Sequence, residues 1–394
     1  MTQLNESGAA RRARRANAQQ LAELLRTSRA HTLALLDAYE VALGPRLPVP
    51  QWPTLNPPLW ELGHIAWFQE FWLRRNQQRV RGTACEPAHV RTDSCMPNAD
   101  ALYDSSQVAH ASRWGLALPD LAAVRAYLQA VSDETLALLA ALPEPLQADD
   151  AALYFYRLVL FHEDMHAEAF VHTAQALGIA LGASLCAQPS RCEPNPRALQ
   201  VPAQDWQLGS QADGFVFDNE LGMHTVALAA YEIDSEPVSW RRYLPFVEQS
   251  AGAVATPLYL RRAGNGWECQ RFGEWNALDM DAPAVHLTQH EAQAWCAWAS
   301  RTLPTEAQWE CAALTQSQFQ WGNVWEWTAS AFAPYPGFAP HPYLDYSQPW
   351  FGTHAVLRGA SVATSLSMAH PRYRNFFTPE RSDVHAGFRS ARVL

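Results

Sequence analysis

Charged residues and long apolar runs are both scarce in this chain. Only 17% of the 394 residues are charged and 48% are hydrophobic, which indicates a folded globular protein and disfavours a disordered one. No apolar run approaches the roughly 20 residues that a transmembrane helix needs. The basic run at 11–15 lies in a segment that we expect to be frayed, and no apolar signal-peptide region follows it. We therefore expect a cytoplasmic protein with no membrane partner.

The chain also has fewer basic than acidic residues and no closely spaced cysteine motif. The net charge is −10, so the phosphates of nucleic acid would be repelled and no nucleic-acid partner is expected. The seven cysteines include no Cys-x-x-Cys motif, and their odd number does not favour disulfides in a cytoplasmic chain. Cys186 and Cys192 flank a polar stretch, where they either join a second metal site or act as ordinary small apolar residues.

The chain changes character near residue 181. Before it, apolar residues recur at helical spacing over 21–39, 121–138 and 150–170, and Asn56-Pro57-Pro58 is typical of a helix start with Asn as N-cap. Residues 80–118 have no clear period and predict a long loop. Four helices indicate a bundle, and facing helices of bundles often build metal sites. We assign residues 1–185 to a helical bundle and 186–202 to a linker.

Residues 203–394 predict an α+β domain with much loop. Short apolar runs are separated by many Gly, Pro, Asn and Trp residues. The pattern predicts a strand over 226–233 and amphipathic helices over 238–249 and 288–300.

Histidine spacing in the bundle predicts a metal site. His162 and His166 are four residues apart, so they share one helix face and can bind one ion. His64 lies in a second predicted helix among aromatic residues and offers a third ligand. Acidic residues beside the pair, including Glu168, are candidates to orient the imidazoles. The alternatives are that His162 and His166 are simply two partly exposed histidines, and that His64 is a histidine satisfied within the core. His172 points away from His166, so we leave it out of the ligand set.

Five strings in the second half resemble the formylglycine-generating-enzyme (sulfatase-modifying factor, C-type-lectin-like) fold. They are FDNE at 217–220, RTLPTEAQWE at 301–310, GNVWEWT at 322–328, VLRGAS at 356–361 and AGFRSAR at 386–392. The first half resembles a DinB-like four-helix bundle. The two together resemble the ergothioneine-biosynthetic sulfoxide synthases, the EgtB family. That resemblance implies non-haem Fe(II) on His64, His162 and His166, and O2-dependent coupling of a sulfur donor to the imidazole ring of hercynine.

The presumed donor-binding string departs from that family. Where members that use γ-glutamylcysteine commonly carry Asp, this chain has Phe377, which cannot accept a charged hydrogen bond; Asn375 and Arg381 carry over. The segments 96–105 and 110–114 also resemble the selenoneine synthase branch (SenA), which uses a selenosugar. A neutral, hydroxyl-rich donor has less need of the missing carboxylate.

The resemblance implies further roles for residues around the metal. Tyr335 or Tyr343 is the expected proton donor near bound oxygen, with packing of a loop tyrosine as the alternative. Phe376 and Phe377 are expected to attract the trimethylammonium group of hercynine, and Asn375 is expected to hydrogen-bond the betaine. The alternative for the two phenylalanines is packing in the core. Arg113 and Arg381 are expected to bind a carboxylate, unless they are surface arginines.

Three functions stay open at this stage. The first is an Fe(II) enzyme that forms a C–Se bond between hercynine and a selenosugar, and the second is the same chemistry with γ-glutamylcysteine or cysteine. The third is a non-catalytic, metal-stabilised binding module with a structural zinc. Three histidines argue against the third function, because a closed structural zinc usually has four protein ligands. A formylglycine-generating role is disfavoured, since that chemistry needs a cysteine pair near the C-terminus and the last cysteine is Cys311.

Overall fold

A computed structural model describes residues 8–250, 252 and 254–394. The α-helices are α1 Gly8–Arg15, α2 Ala18–Leu43, α3 Pro58–Trp72, α4 Ala99–Tyr103, α5 Leu121–Ala140, α6 Asp150–Leu177, α7 Trp240–Gln249, α8 Gln289–Trp298 and α9 Glu306–Thr315. Short 3-10 helices span Arg79–Ala84, His110–Gly115, Glu144–Leu146, Asp218–Glu220 and Gln348–Trp350. Among the helices of these residues, none is long and apolar enough to cross a bilayer.

The helices α2, α3, α5 and α6 form the predicted bundle. Side-chain caps define where several of them begin: Asn17 and Gln20 form a capping box at α2, and Asp149 accepts the backbone N–H of Ala152 at α6. Gly178 ends α6 in the left-handed region, with a φ of 71°. Of the 28 residues of α6, 21 are buried, because the helix packs against the other bundle helices and against the second domain.

Three local expectations for the bundle are wrong. Pro57, and not Asn56, is the N-cap of α3, with Pro58 at the first helical position and no side-chain cap. The stretch 80–118 contains 3-10 turns and the short α4 instead of a plain loop. The basic run is ordered in α1, where Arg14 is buried and forms an ion pair with Glu220 of the second domain at 2.7 Å.

The strands form four small sheets. They are β1 Ala198–Val201, β2 Gln204–Leu208, β3 His224–Leu228, β4 Tyr231–Asp234, β5 Leu260–Ala263, β6 Gly266–Arg271, β7 Glu274–Ala277, β8 Trp325–Ala331, β9 Ala355–Gly359, β10 Asn375–Phe377, β11 Ala386–Gly387 and β12 Ala391–Val393. The sheet orders are β1-β4-β12, β10-β9-β8-β11, β2-β3 and β5-β6-β7. All pairs are antiparallel except β11 with β8. The expected α+β domain is confirmed.

The single strand expected over 226–233 is two strands. β3 pairs with β2, whereas β4 pairs with β1 and β12, because the chain changes sheets between Leu228 and Tyr231. Strand β1 begins inside the segment 186–202, and the division into 1–185, 186–202 and 203–394 stays a prediction.

Buried hydrogen bonds join α6 to the second domain. The carboxylate of Glu168 accepts bonds from Trp325 at 2.7 Å, Ser361 at 2.9 Å and Thr364 at 2.8 Å. Asp164 accepts one from Ser367 at 2.7 Å. These bonds therefore fix the helix that carries His162 and His166 against the second domain.

Candidate metal centre

Three histidines meet in the interior of the bundle. His64 comes from α3, and His162 and His166 come from successive turns of α6. One ring nitrogen from each lies within 4.8 Å of the others, and the ring centres are 4.5 to 5.1 Å apart. Among the described residues, this is the one group of three or more His, Cys, Asp or Glu side chains with such geometry. Neither Cys186 nor Cys192 belongs to it.

Hydrogen bonds through Nδ1 orient two of the rings. Nδ1 of His64 lies 2.8 Å from the carbonyl oxygen of Tyr103, and Nδ1 of His166 lies 2.8 Å from Oε1 of Glu61. A ring that donates through Nδ1 keeps a lone pair on Nε2, as in many metal-ligating histidines. Nε2 of His162 is buried and has no partner among the described residues. All three rings can therefore present Nε2 to one point.

Burial favours the neutral form of His64 and His162. It lowers the pKa of His64 and of His162 well below the usual value, and the neighbouring His166 lowers both pKa values further. Only the neutral ring offers a lone pair to a metal ion. The donor set suits a borderline transition metal ion such as iron, zinc, copper or nickel.

The acidic residues beside the histidine pair were expected to orient the imidazole rings, but they bind other partners. Among the acidic neighbours of the histidine pair, Glu163 forms an ion pair with Arg29 at 2.7 Å. Asp164 and Glu168 accept hydrogen bonds from the serines, threonine and tryptophan around them. Glu61 on α3 takes the role instead. Glu61 lies one helical turn before His64. The spacing of this carboxylate from a candidate ligand is the only feature of the sequence that indicates its role.

Aromatic rings cover the metal centre. Phe68 stacks on His162 with ring centres 3.6 Å apart, and Trp60 stacks on His64 at 5.0 Å. Gly63 has no side chain because the ring of Tyr103 occupies that space: a Cβ there would lie 2.2 Å from the Tyr103 ring. The same Tyr103 supplies the carbonyl that orients His64. Sequence reasoning missed both residues.

Two of the sequence-predicted residues lie beside the histidines. The ring centre of Tyr343 is 6.3 Å from that of His162 and 4.9 Å from that of Phe68. The Arg113 guanidinium lies 3.7 Å from the ring centre of Trp60, and its charge contributes to the lowered pKa of His64.

The structure places Tyr335 and Phe376 in other surroundings. Tyr335 donates a hydrogen bond to Glu306 at 2.9 Å and accepts one from Arg358 at 3.0 Å, in a buried ion cluster of the second domain. Phe376 stacks on Phe332 with ring centres 4.1 Å apart.

The other predicted residues of β10 and its flank interact with one another and with His172. Asn375 accepts a hydrogen bond from the backbone N–H of Phe376. The ring centre of Phe377 is 6.4 Å from that of His172 and 5.0 Å from the Arg381 guanidinium, and Arg381 pairs with Asp383. Within the described part of the chain, none of these residues forms a hydrogen bond, ion pair or ring contact with the three metal-site histidines.

Comparison with known proteins covers both halves of the chain. The DinB superfamily model matches residues 24–170, and the sulfatase-modifying factor enzyme 1-like domain model matches residues 185–323 and 320–394. A hercynine oxygenase of Mycobacterium tuberculosis is 30% identical over 95% of this chain and 98% of that protein. A hercynine oxygenase of Mycolicibacterium thermoresistibile is 28% identical over 94% of each. The formylglycine-generating enzyme of Streptomyces coelicolor is 25% identical over 50% of this chain and 92% of that protein.

Proposed function

Because the chain belongs to the hercynine oxygenase family, we propose that it is an O2-dependent non-haem iron enzyme that joins a selenosugar to the imidazole ring of hercynine. The coupling forms a C–Se bond. The ring loses its C–H hydrogen and the donor loses its Se–H hydrogen, and O2 takes up both hydrogens with the two electrons and becomes hydrogen peroxide. The observation that carries the proposal is the group of three converging histidines at the centre of the bundle.

The three histidines are suited to hold Fe(II). Three imidazoles leave three of six octahedral positions open, and iron supplies the redox chemistry that coupling with O2 requires. Glu61 and Tyr103 fix two of the rings, so that donor, hercynine and O2 would meet at one place. Holding both organic reactants together can be worth several kcal/mol of activation free energy.

Tyr343 is the better candidate for the proton donor. Burial raises the pKa of its hydroxyl group, and the charges of Asp345 and Asp104 raise it further, so the group stays protonated and able to donate. Tyr335, the other predicted donor, is engaged with Glu306 and Arg358.

Arg113 is a candidate to bind the carboxylate of hercynine. Its guanidinium covers Trp60, donates to Asn56 at 2.7 Å, and forms no ion pair in the described part of the chain. A carboxylate beside His64 would supply the missing opposite charge. We also keep Asn375, Phe376, Phe377 and Arg381 as proposed substrate-binding residues; these would need to approach the metal when substrate binds.

Sulfur is the alternative to selenium in the donor. The relatives carry the name hercynine oxygenase, which favours a thiol donor and a sulfoxide product. The residue that favours the selenosugar is Phe377, which offers no charged acceptor to the α-amino group of a thiol amino acid.

Product masses decide between the donors. The purified protein is loaded with Fe(II) under nitrogen and then given hercynine and O2, with a selenosugar, γ-glutamylcysteine or cysteine in parallel. We expect a selenium-bearing product from the selenosugar alone. A sulfoxide from a thiol and no selenium product would contradict the choice of donor, and no product from any donor would contradict the proposed function.

A further inference from the structure

A cavity of about 680 Å³ is separate from the metal centre. Its walls include the segment that follows α6, strands β6 and β7, and the segment between β7 and α8. Within the described chain, none of the residues that line it is a metal-site histidine or packs on one of those three rings. Ligand pockets commonly have volumes of about 300–1,000 Å³, so this cavity has room for a second small molecule.

One wall of the cavity carries a guanidinium group without a counter-charge. Arg271 on β6 donates hydrogen bonds through one terminal nitrogen to the carbonyl oxygens of Cys186 at 2.8 Å and Ala187 at 3.0 Å. Its other terminal nitrogen is buried and has no hydrogen-bond partner, and Arg271 forms no ion pair with any described residue. Because an unpaired buried charge is costly, this group favours a bound anion.

Two buried histidines of the same cavity also have unused hydrogen-bonding capacity. Nδ1 of His286 and Nδ1 of His385 are both buried and without a partner among the described residues. The two ring centres are 4.6 Å apart. Burial lowers the pKa of His385 well below its usual value, and the charges of neighbouring groups, Arg271 among them, lower it further. A neutral His385 ring that carries its proton on Nδ1 can donate one hydrogen bond beside the guanidinium.

The remaining walls limit the ligand to an apolar molecule with a single negative charge. Apolar side chains form much of the lining, among them Trp240, Phe272, Val285, Val324 and Val362. Two acidic residues line the cavity as well. Asp279 pairs with Arg191 at 2.6 Å, whereas the exposed Glu274 stands opposite Arg271 in the β6–β7 ladder and forms no ion pair in the described part of the chain. These carboxylates would repel a phosphate dianion more strongly than a monocarboxylate.

We propose that this cavity is a second ligand site, which binds a small organic monocarboxylate through Arg271 and His385 and holds its apolar body against Trp240 and Phe272. The planar carboxylate matches the guanidinium, which can donate two parallel hydrogen bonds to it. The site goes beyond the proposed coupling reaction, because it does not include the metal ligands.

Calorimetry with phenylacetate on the Fe(II)-loaded protein without O2 tests the site. We expect wild type to bind phenylacetate with a Kd of about 1 mM or tighter, and to bind the uncharged phenylacetamide at least about tenfold more weakly. Arg271→Gln should lower the affinity for phenylacetate by about tenfold or more. Glu274→Gln should raise it about two- to threefold, because a repelling charge is removed. Arg262→Gln, which removes an exposed arginine of β5, is the control and should bind like wild type.

Three results would overturn the inference. The first is the absence of phenylacetate binding by wild type, and the second is equal binding of phenylacetate and phenylacetamide. The third is unchanged binding by Arg271→Gln with lost binding by Arg113→Gln, which would place the carboxylate at the metal centre. Should Arg271→Gln fail to fold, the exposed Glu274→Gln variant decides: tighter binding supports the site, and unchanged or weaker binding contradicts it.

Discussion

Glu61 and Tyr103 determine how the metal-site rings are presented, because each accepts a hydrogen bond from one Nδ1. The Glu61→Gln variant should therefore bind Fe(II) about 10- to 100-fold more weakly, the usual cost of losing such a partner. A competition titration with a chelator measures the dissociation constant. Glu23→Gln, exposed on α2, should bind iron like wild type. Equal affinity in Glu61→Gln would show that His166 does not need its carboxylate.

Gly63 and Tyr103 occupy space that a methyl group would need. Gly63→Ala places Cβ within 2.2 Å of the Tyr103 ring, and overpacking of this kind costs about 1–3 kcal/mol of unfolding free energy or more. Urea denaturation should show the loss. Gly115→Ala, where no atom lies within 4 Å of the new Cβ, is the matched control, and equal stability of the two variants would contradict the packing.

The two candidate tyrosines should respond differently to loss of the hydroxyl group. Tyr343→Phe should lower kcat by about 10²–10⁴-fold if the hydroxyl transfers a proton, with an unchanged melting temperature. Tyr335→Phe should keep kcat and lose stability, because Glu306 and Arg358 lose a partner. A lowered kcat in Tyr335→Phe with an unchanged kcat in Tyr343→Phe would instead make Tyr335 the proton donor.

At the scale of elements, a buried ion cluster connects α9 to β9 and to the segment before β10. Glu306 accepts bonds from Arg358 and Arg374, each at 2.9 Å. Burial alone would raise the pKa of Glu306, but the two arginines outweigh it and the pKa lies below the usual 4.5. The carboxylate therefore stabilises the fold above the unfolded pKa, and this contribution is lost as the pH falls through the lower folded value.

Glu306→Gln should cost about 3 kcal/mol of unfolding free energy at pH 7, since it leaves two buried arginines short of negative charge. The difference from wild type should shrink as the pH falls below about 4.5. Urea denaturation at pH 7 and pH 4 measures both quantities. Glu248→Gln, in an exposed pair with Arg262, should cost less than 1 kcal/mol; a similar loss in both variants would contradict the special role of the cluster.

At the scale of the whole molecule, the sequence predicts what periodicity and short-range spacing control. Helical periods place the bundle, and the i,i+4 spacing places His162 and His166 on one face. Contacts between distant segments are beyond such patterns: Glu61 reaches His166 across two helices, and Arg14 pairs with Glu220 across two domains. The roles of Tyr335 and Tyr343 also depended on loop geometry that no period encodes.

His64 comes from a different helix than His162 and His166. A variant of His64 therefore tests whether the three histidines form one metal centre. Iron content and coupled product should be measured together for wild type, His64→Ala and the control His290→Ala, which is exposed on α8. We predict one iron per chain and full coupling in wild type and the control, with neither in a folded His64→Ala protein. Full iron content and full coupling in His64→Ala would contradict a three-histidine catalytic centre.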